Sequence, residues 1–117
     1  MKNILFIVLC TALLMSCASK RAAVVDSTIT EAKVLQAVTK ANGVEVPAAD
    51  SLVTTAEKKK DEGQTEEAYF SADEAVLLYQ ISLLERENKN LTDSLRNATE
   101  SLNIYRSLLE ERRKAHR

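Results

Sequence analysis

The sequence predicts an all-α protein, in which a helical hairpin or three-helix unit continues into a long C-terminal coiled-coil helix. Only two Gly and one Pro occur among 117 residues, and these residue types interrupt helices most strongly. Apolar residues recur at three- and four-residue steps over most of the chain, which is the spacing of one helix face. The length corresponds to one small domain or less.

The beginning of the chain has the layout of a secretory signal. Lys2 precedes an apolar run from Ile4 to Met15, and small residues follow it, as in a basic n-region, a short apolar h-region and a cleavage site. The run measures about 18 Å as a helix, which is short against a hydrocarbon core of about 30 Å. We therefore predict that residues 1–16 are a removed signal peptide and not a permanent anchor.

The segment Leu14-Met15-Ser16-Cys17 resembles a bacterial lipobox. In that motif an aliphatic residue lies three positions before the cysteine, a small residue lies directly before it, and the thiol is lipidated before cleavage. The resemblance implies that Cys17 is a lipidation site that carries fatty acyl chains such as palmitate. Residues 17–25 are then a lipidated tether.

An alternative interpretation is an ordinary signal peptide cut near Ser16 or Ala18, which leaves Cys17 as an incidental thiol. Cys10 is a poor candidate for lipidation, because it follows Leu9, whose side chain is too large for the cleavage pocket.

The residue after Cys17 indicates in which membrane the predicted lipoprotein is anchored. Ala18 stands where an Asp would, by the rule for enteric bacteria, retain such a lipoprotein in the inner membrane. The resemblance therefore implies a lipid anchor at the periplasmic face of the outer membrane. Since Cys10 leaves with the signal and Cys17 carries lipid, no thiol remains for a disulfide in that oxidising compartment.

Charge and composition argue against nucleic-acid binding and against catalysis. The chain has 16 basic and 17 acidic residues, and loss of Lys2 with the signal leaves a net charge of −2, so no positive field attracts nucleic acid. The one His lies near the end of the chain at His116, and no Asp, Glu or His cluster has metal-ligand spacing. We predict no enzyme activity, no cofactor and no metal.

The first predicted helix runs from about Asp26 to the Asn-Gly pair at Gly43. Thr28 and Glu31 have the spacing of a capping box, and Asp26 or Ser27 is an alternative cap. Gly43 supplies the left-handed residue that commonly ends a helix. The inward stripe comprises Val25, Ile29, Ala32, Leu35 and Val38.

The second predicted helix begins at Pro47, whose fixed φ suits a first helical turn. It ends near Glu62, and Gly63 closes it. The lysine run at 58–60 predicts a solvated last turn that complements the helix dipole, with a binding patch as the alternative. The inward residues are Ala49, Leu52, Val53 and Ala56.

Thr65 is the predicted N-cap of a third helix that reaches about residue 114 without Gly or Pro. Its first part presents small residues that let another helix approach closely. Residues 26–80 are therefore predicted to pack as a hairpin or three-helix unit. This alanine face comprises Ala68, Ala72, Ala75 and Tyr79.

Residues 81–117 are predicted to form a coiled-coil helix with a basic tail, because the apolar spacing alternates three and four residues over about four heptads. Asn88 occupies an a position, where a buried Asn sets the register and favours two parallel strands. A half-exposed polar residue in a helix packed on something else is the alternative. The predicted oligomer or partner interface, here called the seam, comprises Ile81, Leu84, Asn88, Leu91, Leu95, Ala98, Leu102, Tyr105 and Leu109.

The residues around the seam bear on its partner. Five of the nine residues that flank it are uncharged, and four of these five are hydroxyl residues, so charge specifies the partner poorly. Ile104 and Leu108 widen the apolar stripe, which indicates more than two helices or a protein partner. The basic tail at 112–117 either stabilises the helix C-terminus or contacts anionic lipid headgroups or cell-wall polymer, which places the protein close to peptidoglycan.

Residues 29–84 resemble a family of uncharacterised helical envelope lipoprotein domains that are often found ahead of OmpA-type peptidoglycan-binding modules. The shared features are an Ala-rich helix ending in Asn-Gly, a loop with Pro47, a helix with Leu52 and Ala56, and a Gly-x-x-x-Glu-Ala step from Gly63. The resemblance implies a cell-envelope setting and supplies no chemistry.

These observations predict a non-catalytic cell-envelope lipoprotein that is held in membrane lipid through Cys17 and acts as a structural spacer or adaptor through its helices. The alternative is a pilotin-like or assembly-factor binding module for a larger envelope complex. The two hypotheses differ in what covers the seam, which is a second copy in a homo-oligomer or a helix of another protein.

Overall fold

The structure is a computed structural model that describes the backbone of residues 2–116 and the side chains of residues 20–116. Three α-helices follow one another along this part of the chain, with short loops between them. Their bounds are Lys2–Ala41 for α1, Pro47–Asp61 for α2 and Thr65–Ala115 for α3.

The predicted all-α fold with a long C-terminal helix is confirmed, and residues 2–116 contain no β-strand. The chain divides into a first unit, Met1–Leu83, and a second unit, Leu84–Arg117. The helix α3 contributes to both, because its residues up to Leu83 belong to the first unit and the rest of the helix forms the second.

The helix α1 begins earlier than predicted. The prediction of a capping box at Thr28 and Glu31 is wrong. Thr28 lies inside the helix, and its hydroxyl donates to the Val24 carbonyl at 2.9 Å. Such a bond to the carbonyl four residues earlier belongs to a helix interior. No Gly or Pro interrupts residues 2–41, so nothing in the backbone stops the helix near Asp26, and residues 17–25 are also helical.

Glycines end the first two helices, as predicted. Gly43 has a φ of 67° and Gly63 a φ of 77°, which is the left-handed conformation that costs Gly little. The Val44 N–H donates to the Thr39 carbonyl at 2.9 Å, and the same bond pattern follows Gly63. These bonds satisfy carbonyls that a helix end would leave unpaired. Pro47 is the first residue of α2, also as predicted.

Small side chains hold the three helices of the first unit together. Among the side chains of this unit that the structure describes, from Lys20 on, six of the buried ones are alanines, and alanine lets helix backbones approach closely. The alanine face predicted on α3 is confirmed, because all four of its members are at most 1% exposed. One core cluster comprises Ala32, Ala49, Val53, Ala75, Val76 and Tyr79, and the other comprises Val25, Ile29, Ala56, Ala68 and Ala72.

The inward stripe of α1 departs from the prediction at its end. Val38 was expected to face the core but is 39% exposed, whereas Thr39 is 1% exposed. The Thr39 hydroxyl donates to the Gln36 carbonyl at 2.9 Å, so its polar group is satisfied although it is buried. Because a helix has 3.6 residues per turn, a strict three-and-four pattern rotates gradually around it, and here the neighbouring residue faces inward.

Replacing Ala75 by Leu should destabilise the first unit. Ala75 is 0% exposed and lies in a cluster formed by all three helices, so the added carbon atoms find no space. We expect the free energy of unfolding to fall by about 1–3 kcal/mol, as measured by urea denaturation followed by circular dichroism. Ala37→Leu, on the exposed side of α1, is the matched control and should cost less than about 0.5 kcal/mol. Equal losses in the two variants would contradict the packing.

Candidate functional site

The predicted lipidation residue, Cys17, lies within α1. Its side chain is outside the part of the chain that the structure describes, and the described side chains begin at Lys20. Lipidation at Cys17 therefore stays a prediction from the sequence motif.

A groove at the start of the described side chains combines basic, acidic and apolar groups. Lys20, Arg21 and Val24 of α1 line it together with Glu66 and Phe70 of α3. Val24 is 51% exposed and Phe70 is 60% exposed, and the Phe70 ring packs edge-on against Tyr69, with 5.8 Å between the ring centroids. Exposed basic and aromatic side chains together are typical of a surface that contacts anionic lipid headgroups. The sequence did not predict this groove, because its two sides are far apart along the chain.

All nine seam residues lie on α3, at a spacing that keeps them on one helix face. Ile81 belongs to the first unit and the other eight belong to the second. The large apolar and aromatic members range from 50% exposed at Ile81 to 73% exposed at Leu95, and Asn88 and Ala98 are exposed as well. The predicted interface is therefore an accessible surface in the single chain.

The second unit has no core of its own. No residue from Leu84 to His116 is buried. Monomeric soluble proteins rarely expose a contiguous apolar patch larger than a few hundred Å², and an isolated helix in water is marginally stable. A partner that covers the seam would stabilise this unit more than any contact within it.

The seam widens towards the C-terminal end of α3. Ile104 and Leu108 lie beside it and are 60% and 50% exposed, as the sequence predicts. The basic residues Arg112, Arg113 and Lys114 then occupy the last turn of the helix, where positive charge stabilises a helix C-terminus.

A hydrogen-bond network around Asp50 links the helices of the first unit, and sequence reasoning missed it. The Tyr79 hydroxyl donates to Asp50 Oδ1 at 2.5 Å, and the Gln36 side-chain amide donates to the same oxygen at 2.7 Å. Lys40 Nζ lies 3.9 Å from Asp50 Oδ2. Because Gln36 comes from α1, Asp50 from α2 and Tyr79 from α3, one carboxylate joins all three helices.

This network keeps Asp50 ionised and Tyr79 protonated. The hydrogen bond from Tyr79, together with that from Gln36 and the charge of Lys40, lowers the pKa of Asp50. Burial and the bond to Asp50 raise the pKa of Tyr79. Because donor and acceptor satisfy each other, the arrangement suits holding the helices in place better than transferring a proton.

The lysine run at the end of α2 is engaged within the first unit. Lys59 Nζ lies 2.6 Å from a carboxylate oxygen of Glu67 in α3, and Lys60 pairs with Asp26 of α1. These hydrogen bonds raise the pKa of both lysines. Exposed ion pairs contribute little stability, but they occupy the ammonium groups, in agreement with a solvated turn and not with a binding patch.

Among the described side chains, no group of three or more His, Cys, Asp or Glu has the arrangement of a metal site. As far as the helices are described, none carries an apolar stretch long enough to cross a membrane. Comparisons of the chain with known protein families, with curated proteins and with solved structures gave no match. The resemblance to helical envelope lipoproteins therefore stays a prediction that depends on the sequence pattern alone.

Tyr79→Phe should lower the free energy of unfolding by about 1 kcal/mol, because it removes a hydrogen bond to a charged group. The expected loss is small since the Asp50 side chain is 36% exposed, and water can replace the missing donor. Urea denaturation at neutral pH measures the loss. Tyr69→Phe is the matched control and should stay within about 0.5 kcal/mol of the unchanged protein. If both variants lost the same stability, the bond to Asp50 would have no special role.

Acid should weaken the first unit through Asp50. The pKa of this carboxyl is lower in the folded protein than its ordinary value of about 3.9. The stabilisation that the ionised Asp50 carboxylate contributes is therefore complete above that value, and it is lost as the pH falls through the pKa of the folded state. We expect the urea midpoint to decline as the pH falls below about 4, and Asp50→Asn to flatten the decline. Asp61→Asn, which changes an exposed carboxylate, should keep the original slope, and an equal flattening there would rule out Asp50 as the source.

Proposed function

We propose that this protein is a non-catalytic lipoprotein of the cell envelope, anchored by an acylated Cys17 at the periplasmic face of the outer membrane. The helices that follow the anchor act as a structural spacer or adaptor, and the seam of α3 binds a second copy or a helical partner. The mechanism is mechanical: Cys17 anchors the chain in the membrane, the helices span a distance from it, and the seam docks on a partner. The observation that carries the proposal is the seam, whose large side chains are half exposed or more.

Membrane attachment is supported by the sequence motif and by the groove described above. The Leu14–Cys17 motif ends three residues before Lys20, where the groove begins. Lys20 and Arg21 offer positive charge to anionic headgroups, and Phe70 offers an exposed ring. Two lipid signals already give stable attachment, so an acylated Cys17 needs no help from the basic tail.

The polar groups of the first unit support a role without catalysis. Asp50 is bonded to Tyr79 and Gln36 between the helices, and the one His of the sequence, His116, follows the end of α3. Turnover of an envelope substrate that was lost on replacing one carboxylate would overturn this part of the proposal.

A second candidate function is a pilotin-like or assembly-factor module that binds another envelope protein. The exposure of Ile104 and Leu108 favours it, because an apolar stripe wider than the a and d positions exceeds what a two-stranded coiled coil buries. On this reading the seam meets a helix of a foreign protein.

Cys17→Ala should abolish palmitate labelling and outer-membrane association, because it removes the acylated thiol. Cell fractionation combined with labelling measures both quantities. Cys10→Ala is the matched control, since Cys10 lies within the signal, and it should leave labelling and association unchanged. Normal labelling of the Cys17→Ala protein in the outer membrane would contradict the anchor.

A photo-crosslinking residue at Leu95 should capture whatever covers the seam in living cells, because Leu95 lies near its middle and is 73% exposed in the single chain. Self-adducts of dimer or trimer mass favour the spacer, and one larger adduct identified by mass spectrometry favours the adaptor. The same residue at Glu100, which lies away from the seam on α3, is the control. A yield at Leu95 no higher than at Glu100 would contradict both functions.

A further inference from the structure

The seam residues of the second unit have a centre, between Leu95 and Ala98. Each seam residue on one side of this centre has a counterpart at the same distance on the other side. Steps of four and three residues alternate along the seam, and their order is the same when the seam is followed from either end. When a second copy runs in the opposite direction, each seam residue therefore faces its counterpart. The four pairs are Leu95 with Ala98, Leu91 with Leu102, Asn88 with Tyr105 and Leu84 with Leu109.

We propose that residues 84–109 of two copies of this chain pair in antiparallel orientation about this centre. The proposal rests on the proposed function, since it names a second copy as the partner of the seam. It also replaces the parallel pairing that Asn88 favours when the sequence is considered alone.

Side-chain size favours the antiparallel pair. A parallel pair in register sets Ala98 against Ala98 and Tyr105 against Tyr105, which gives one layer with a gap and one layer that is crowded. The antiparallel pair sets Ala98 against Leu95 and Tyr105 against Asn88, so that a small residue always meets a larger one. Both gaps and crowding destabilise a packed core.

In the antiparallel pair, the layer formed by Asn88 and Tyr105 can satisfy its own hydrogen-bonding groups. The described side-chain hydrogen bonds of the second unit run from the hydroxyls of Thr and Ser residues to backbone carbonyls, so the Asn88 amide and the Tyr105 hydroxyl are available to a partner. An Asn buried without a hydrogen bond would be costly. In the antiparallel layer, Asn88 and Tyr105 can bond to each other, and by symmetry this layer occurs twice.

Charge at the edges of the seam favours the same orientation. Glu85 and Arg106 directly follow Leu84 and Tyr105, and an antiparallel pair places them side by side at both ends. A parallel pair places them beside the uncharged Gln80 and Ser101 instead. Within the described part of the second unit, the one ion pair joins Arg96 to Asp93 at 3.2 Å, so neither Glu85 nor Arg106 is engaged in its own chain.

Crosslinking of the full-length protein in its membrane tests the orientation. One tagged copy carries Leu84→Cys, and a second, differently tagged copy carries Leu109→Cys. In an antiparallel pair Leu84 of one copy lies opposite Leu109 of the other, whereas the two Leu84 positions are about 38 Å apart at about 1.5 Å per residue. The unchanged chain with the same tags reports any adduct formed by Cys10 or Cys17.

A short thiol-to-thiol crosslinker should join the two differently tagged copies and should not join two copies that both carry Leu84→Cys. Adducts between two Leu84→Cys copies would overturn the proposal in favour of parallel pairing. Adducts with a foreign protein alone, or no adducts, would overturn it as well. Palmitate labelling of Cys17 and membrane association, followed in the same cells, would show separately whether the anchoring function survives.

A charge exchange gives a second test that leaves the apolar layers intact. Glu85→Arg or Arg106→Glu alone should weaken self-association on the order of fivefold, because each creates two like-charge contacts per dimer. The two changes combined should restore the affinity to within about twofold, because the ion pairs re-form with reversed signs. Sedimentation equilibrium of the lipidated chain in detergent measures the dissociation constant.

Arg86→Glu and Glu100→Arg supply the matched control, because they make the same charge changes on the side of α3 away from the seam. They should leave the dissociation constant unchanged, singly and together. A combined Glu85→Arg and Arg106→Glu protein that dimerises no better than the single variants would overturn the antiparallel arrangement.

Discussion

Close contact between helix backbones at alanine residues is the constraint on which the first unit depends. Six alanines are buried where α1, α2 and α3 meet, and each buries little apolar area. The unit therefore owes its stability to the fit of its surfaces and to the Asp50 carboxylate, which accepts bonds from Tyr79 and Gln36. The described core of this unit runs from Val25 to Tyr79, and a compact region of about 60 residues buries only about 60% of its unfolded surface, so the close fit of its helices decides whether it folds.

The apolar residues of α3 change character along the helix, and this change coincides with the boundary between the two units. Towards its N-terminal end the helix presents Ala68, Ala72 and Ala75 to its own chain, and these are at most 1% exposed. Beyond Leu83 the seam, on a different face of the helix, carries leucines that nothing in the described chain covers. Alanine suits helices that are already held together by short loops, whereas leucine supplies the apolar area that association between separate chains requires.

Local signals predicted much of this fold. Gly43, Gly63 and Pro47 mark helix ends through their own backbone preferences, and the seam follows from period alone. The predicted start of α1 is wrong. Thr28 and Glu31 have the spacing of a capping box, but the helix begins before them and the Thr28 hydroxyl bonds within it.

The Asp50 network could not be predicted in the same way. Asp50 and Tyr79 are 29 positions apart, so their contact depends on how α3 is rotated against α2, which no local pattern encodes. The groove at Lys20 and Phe70 was missed for the same reason. The exposure of the seam was predictable from its period. What covers the seam was not, because it depends on which side chains and charges of two chains face each other.

Hydrogen exchange of the full-length lipidated protein, measured in vesicles over a series of protein-to-lipid ratios, tests the central claim that the second unit is stabilised by self-association. The amides of residues 84–109 should become more protected as the ratio rises, while those of residues 25–79 should not change, because the latter already have a core. Exchange of residues 84–109 that is the same at every ratio would contradict the account.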